Sequence, residues 1–202
     1  QLENTFFAMF MNEWQIQKGN AKLGCIAIVD DVPESQYLAP EFELFRQLFA
    51  SRGIKTIITD PQALTWRDGQ LIHHSDVGDT KIDMVYNRIT DFDLSEPKHT
   101  ALHDAYVSGD VVVTPHPRAH ALQANKQHLT RLYNGEILKE WGASEADLEL
   151  LSGCIPTTQN VTPQNADELW AERKNLFFKP ISGFASKAAY RGDKLTKRVW
   201  NE

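Results

Sequence analysis

Apolar residues recur along this chain either every three to four positions or in short unbroken runs, and the alternation of the two patterns sets the expected elements. From 4 to 16, Phe6, Phe7, Phe10, Met11 and Trp14 return at helical spacing, which predicts an amphipathic helix ended by Gly19-Asn20. The run LGCIAIVD over 23–30 has no polar alternation and reads as a strand buried on both faces. After a polar loop (31–40), Phe42, Phe45, Leu48 and Phe49 share one helix face over 41–51, and Gly53 stops that helix. A second strand over 54–59 completes a βαβ unit. Asp68-Gly69 between alternating apolar residues (64–72) predicts a hairpin, and IDMVYNR (82–88) a third core strand. A helix over 97–108, started by a Ser95 cap and turning Leu102, Ala105 and Tyr106 inward, leads to a fourth strand over 111–114.

The second part of the chain is patterned more weakly. A helix headed by Lys126 is expected within 119–133, then a helical patch over 145–151. A helix over 163–173 would pack Leu169 and Trp170 inward. The apolar run Leu176-Phe177-Phe178 suits a buried strand, followed by a small-residue loop, a strand over 187–191 and a helix over 196–202. Strands alternating with helices give an α/β fold with an open, mostly parallel sheet, Rossmann-like in outline. Ligands of such sheets lie beyond the carboxyl ends of the strands. Three such ends stand out: Asp30-Asp31, Asn87-Arg88 and Pro115-His116-Pro117-Arg118.

Composition narrows the function classes. The 202 residues suffice for one large domain or one and a half ordinary ones; 42% hydrophobic and 24% charged content describes a folded chain rather than a disordered one. A net charge of −6 with scattered basic residues argues against a nucleic-acid partner or a polybasic membrane anchor. No apolar run approaches the ~20 residues of a spanning helix, and no basic stretch precedes an apolar one at the N-terminus. Cys25 and Cys154 form neither a disulfide framework nor a metal knuckle, so both read as reduced thiols of a cytoplasmic protein. The chain begins at Gln1 without a methionine and stops inside an expected helix, so it reads as a piece of something longer.

The strongest chemical candidate is 176–191, LFFKPISGFASKAAYR. Lys179 ends a strand beside a loop whose side chains, among them Gly183, Ala185 and Ser186, are too small to shield its amides. A fixed ammonium and exposed N–H groups suit a polyphosphate, although no Walker or dinucleotide glycine spacing is present. Other groups offer less. His99/His103 and His116/His120 stand four apart without a third ligand at motif spacing. Cys25 lies mid-strand, Ser186 lacks a nucleophile elbow, and His116 is an acid–base candidate only by its strand-end position.

Four stretches in order resemble the ATP-grasp superfamily, in particular a group near the glutathionylspermidine synthases and the circularly permuted ATP-grasp proteins. They are the hairpin and IDMVYNR (64–88), the helix with Lys126, the stretch Ile155-Pro156-Thr157-Thr158, which the resemblance implies is a short strand, and FFKPISGFASKAAYRGDKLTKRVW. The resemblance implies an N-terminal helix with a pre-ATP-grasp α/β domain over 1–118 and the start of an ATP-grasp domain over 119–202. It implies ATP as co-substrate with Mg2+, whose ligands follow the hairpin in the family. Lys126, Lys179, Gly183 and Ser186 would contact nucleotide; Asn87, Arg88 and Arg118 would hold a small-molecule substrate. The implied reaction is ATP-dependent carboxylate–amine ligation through an acyl phosphate, with a peptide carboxylate and an amine as substrates and no catalytic activity in this piece alone. The alternative is a non-catalytic module that binds a peptide, an amine or a partner. Ala185 stands where relatives are expected to carry glycine, and alanine restricts positive φ.

Overall fold

In chain order the elements of the computed structural model, which describes residues 2–202, begin with α1 (Leu2–Lys18), β1 (Cys25–Val29), α2 (Ala39–Ser51) and β2 (Lys55–Thr59). There follow β3 (Leu64–Arg67), β4 (Gln70–His73), β5 (Thr80–Ile82), β6 (Met84–Asn87), α3 (Thr100–Val107), β7 (Val112–Thr114) and α4 (Pro117–Gln123). The rest is α5 (His128–Tyr133), α6 (Gly135–Glu140), α7 (Glu145–Cys154), α8 (Ala166–Glu172), β8 (Phe177–Phe178), β9 (Tyr190–Arg191) and α9 (Lys197–Asn201). Two units result, Gln1–Ala121 and Leu122–Glu202. Among the described residues, no helix is long and apolar enough to cross a membrane.

The first unit is a mixed α/β structure around a four-stranded parallel sheet of order β2-β1-β6-β7. β1 is buried at every residue, as its unbroken apolar run requires. Its alternate side chains serve two layers. Ile26 and Ile28 join Phe10, Trp14, Phe42 and Phe49 of α1 and α2, while Cys25, Ala27 and Val29 join Leu64, Leu71, Leu102 and Ala105 of the hairpin and α3. Fully burying a side chain such as Phe10 or Phe49 contributes roughly 1.5–3 kcal/mol. The aromatic stripe of α1 divides accordingly: Phe10 and Trp14 are buried, whereas Phe6 reaches only the edge of Phe45.

Asp68-Gly69 closes the β3–β4 turn with φ of 52° and 70°, the two positive values of a type I′ turn. The expected strand over 82–88 is split. Ile82 pairs with Leu71 in the antiparallel sheet β3-β4-β5, and Met84 pairs with Ile26 in the parallel one. Asp83, at the crossing, accepts the N–H groups of Gly24 and Cys25 at 2.9 and 3.0 Å, which satisfies backbone donors where the chain changes sheets. The helix over 97–108 begins as a 3-10 turn, Pro97–His99, and Ser95 does not cap it. The Ser95 hydroxyl donates instead to Asp91 at 3.0 Å.

The second unit departs further from expectation. Ile155 to Thr158 forms no strand: Pro156 has no N–H to offer a ladder, the Thr158 hydroxyl turns back on the Pro156 carbonyl (2.8 Å), and Thr157 bonds the Tyr133 hydroxyl (3.0 Å). α7 carries a capping box between Ser144 and Asp147. The strand expected to be buried at 176–178 shrinks to Phe177–Phe178, and Phe177 is 56% exposed. A two-stranded ribbon with one covered face accounts for this: Phe178 packs on Trp200, which packs on Trp170, and Phe177 faces away. Gly192 is required at the foot of this hairpin, because a Cβ there would lie 1.8 Å from the Arg173 carbonyl oxygen.

Candidate functional site

Strand order places the topological switch point of the first unit between β1 and β6. The chain leaves β1 toward β2 on one side and leaves β6 toward β7 on the other, so their carboxyl ends bound the point where the winding reverses. Asp30 and Asp31 leave β1 there, and Asn87 and Arg88 leave β6, with the Arg88 N–H on the Val29 carbonyl at 2.9 Å. Val32 and Leu94, in the loops that follow these strands, have φ of 45° and 53°, a left-handed conformation that is costly for side chains of this size.

The structure divides the polar residues of this rim between two layers. On the α3 side, His99 is fully buried, with Nδ1 2.8 Å from Asp91 and Nε2 3.0 Å from Asp31. Lys98 donates to the other Asp31 oxygen at 2.8 Å. Burial alone would raise the Asp31 carboxyl, but bonds from His99 and Lys98 outweigh it and hold the group below the usual carboxylate range. Burial likewise pushes the Asp91 carboxyl up, and bonds from the Glu96 N–H, His99 and Ser95 outweigh it and hold this group low as well. Both ring nitrogens of His99 thus lie within hydrogen-bond distance of a carboxylate oxygen. The β1–α2 and β6–α3 loops are thereby tied together by one side chain.

On the α2 side, Asp30 is nearly buried and its carboxyl is pushed up, chiefly by burial, with the Asp31 N–H only partly offsetting. The Arg88 guanidinium lies 5.9 Å from the Phe42 ring centroid and 5.3 Å from that of Tyr86. One of its terminal nitrogens donates to the Tyr86 hydroxyl (3.2 Å) and the other lies 3.4 Å from Glu41, while the buried Nε has no partner. Asn87 is used internally: its oxygen accepts from the Ile89 N–H at 3.1 Å and its nitrogen reaches the Pro115 carbonyl at 3.4 Å. Arg118 is exposed at the start of α4. His116 Nδ1 accepts the Ala119 N–H at 3.0 Å, which orients the ring toward the first turn of α4, and His120 stacks on Phe92.

The second unit brings Lys126 and the hairpin loop together. The Lys126 N–H donates to the Ile181 carbonyl at 2.9 Å and its ammonium to the Gly183 carbonyl at 3.0 Å. Lys126 does not head a continuous helix. Asn125, whose side chain accepts the Gln127 N–H at 2.8 Å, turns the chain between α4 and α5. Every residue from 181 to 188 is exposed, and Gly183, Ala185, Ser186 and Ala188 all have positive φ. Ala185 thus adopts the conformation that alanine disfavours. Lys179 is exposed, with its ammonium 5.5 Å from the Phe177 ring.

Sequence reasoning places Asn87, Arg88 and Lys179 at strand ends, Gly183 and Ser186 in a loop and Lys126 at the head of a helix, but misses the Asp31–His99–Asp91 bridge. Its only trace was the acidic pair closing the first strand, since nothing in the spacing of Asp91 and His99 marks them as partners. Compared with known proteins, the chain matches no protein-family model and no curated protein sequence. Fold and geometry define it as an α/β protein with a polar cluster at the strand ends of a parallel sheet and a cationic hairpin.

Proposed function

We propose that this chain forms the leading part of an ATP-dependent carboxylate–amine ligase of ATP-grasp type, with the hairpin over the nucleotide phosphates. The observation that carries the reading is the junction of Lys126 with the loop of 181–188, which puts an ammonium, the Ser186 hydroxyl and unshielded backbone in one place. That donor set fits the phosphate end of a nucleotide. Among the described residues, no group of three or more His, Cys, Asp or Glu could hold a metal ion, and none is assigned to magnesium.

Bound ATP supplies the phosphoryl group that activates a carboxylate for attack by an amine. The contribution of this chain is positioning and charge neutralisation, which is most of what such chemistry asks of a protein. Lys126 and Lys179 neutralise phosphate charge, and Ser186 donates to a phosphate oxygen. In the first unit Arg88, held against Phe42 and Tyr86 with its outer nitrogen at Glu41, receives the substrate carboxylate in exchange for Glu41, with Arg118 at the start of α4 as a second cation and Asn87 holding the strand ends in register.

Calorimetric titration of ATP into the protein carrying this chain tests the reading. A charge-assisted contact is worth about 1.5–3 kcal/mol, so Lys179→Ala weakens binding by about tenfold to a hundredfold. Equal affinity in the variant removes this lysine from the site.

A further inference from the structure

The net charge of −6 hides a strong segregation along the chain. Residues 173–202 hold eight lysines and arginines against two acids, a net of +6, so the rest of the chain carries −12. Within that segment Arg191 pairs with Asp193 and Arg198 with Glu202. Among the described residues Arg173, Lys174, Lys179, Lys187, Lys194 and Lys197 have no carboxylate partner. The nucleotide reading uses Lys179 alone of these eight.

The hairpin sorts this charge by face. Directly opposed residues of an antiparallel pair share a face, so Phe177 and Arg191 stand together and Lys179, two residues on, joins them. The opposite face, with Phe178, is covered by Trp200. The outer face therefore presents an exposed ring flanked by a guanidinium and an ammonium. Lys187, in the loop, lies 4.6 Å from the centroid of the exposed Phe184 ring. Exposed rings beside unbalanced cations are the combination that holds single-stranded nucleic acid, where phosphates meet the charges and bases stack on the rings. An acidic polypeptide would satisfy the charges and leave Phe177 without a role.

We infer that the outer face of the β8–β9 hairpin binds single-stranded nucleic acid, with Phe177 as a base platform and Lys179, Lys187 and Arg191, the last exchanging Asp193 for phosphate, on the backbone phosphates. The expectation of no nucleic-acid partner rested on treating the basic residues as scattered, and their concentration after residue 172 removes that ground.

Fluorescence anisotropy of a labelled fifteen-nucleotide oligothymidylate against the full chain, from about 20 to 200 mM salt, decides the matter. With about three phosphates neutralised, log affinity falls against log salt with a slope of about −2. Phe177→Ala weakens binding roughly tenfold at every salt concentration with the slope unchanged, because stacking carries no counterion release. Arg191→Gln makes the slope shallower by about 0.7. Circular dichroism verifies that both variants fold. Three results overturn the proposal: no binding at the lowest salt, equal binding of heparin with Phe177→Ala neutral, or tighter binding of polyglutamate than of the oligonucleotide.

Discussion

Replacing His99 by leucine keeps the bulk of a buried side chain and removes both of its hydrogen bonds. Each joins an imidazole nitrogen to an ionised carboxylate, a class worth about 1.5–3 kcal/mol. The two do not count equally. Asp31 is 28% exposed and keeps Lys98, so water and the ammonium recover part of its loss. Asp91 is 11% exposed and keeps only the Ser95 hydroxyl and the Glu96 N–H, so its loss is nearly complete. The expected cost is about 2–4 kcal/mol, just under the 3–5 kcal/mol of breaking a fully buried ion pair. Urea denaturation followed by circular dichroism reads this as a fall in midpoint of about 1–2 M, for a slope of about 2 kcal/mol per molar.

The pH dependence has a definite sign. The folded-state pKa values of Asp31 and Asp91 lie below their ordinary values, so their contribution is present above the ordinary carboxylate range. It is lost as pH falls through the depressed folded values. The stability gap between wild type and His99→Leu is therefore widest near pH 7 and narrows on acidification toward pH 3. A gap below about 1 kcal/mol at pH 7, or one that widens as pH falls, refutes the idea that this histidine clasps the two loops.

Two further predictions follow from the packing. Burial pushes the Cys25 thiol up to about 11, with the Lys55 charge opposing and Asp83 assisting, whereas Cys154 is exposed. At pH 8 a thiol reagent then modifies a single cysteine of the folded protein, Cys154 by peptide mapping, and Cys25 reacts only after denaturation. Gly192→Ala forces a methyl group onto the Arg173 carbonyl and costs the second unit about 1–3 kcal/mol or more, seen as a red shift of Trp170 and Trp200 fluorescence as the hairpin lifts away. An unshifted spectrum at unchanged stability would mean that the 192–195 turn relaxes freely.

Much of the first unit was legible in the pattern of residues. An unbroken apolar run marked β1, three-to-four spacing marked α1 and α2, and Asp68-Gly69 marked its turn, because each is a local property of side chains and backbone. The same pattern located the strand ends that carry Asn87 and Arg88. It overstated the second unit, where apolar residues are fewer and no neighbouring strand covers Phe177 or pairs with 155–158.

What local pattern could not supply were relations between distant residues. That Asp83 ends one sheet by holding the first residues of another, that Asp31 and Asp91 meet at the same imidazole, and that the Lys126 ammonium rests on the Gly183 carbonyl all depend on chain segments 57 to 68 residues apart, or on loops returning to the same rim. Hydrophobic burial is non-directional and follows composition along the chain, so it can be read one segment at a time. Hydrogen bonds and ion pairs need a partner at a fixed distance and angle, and only the folded arrangement decides which partner that is.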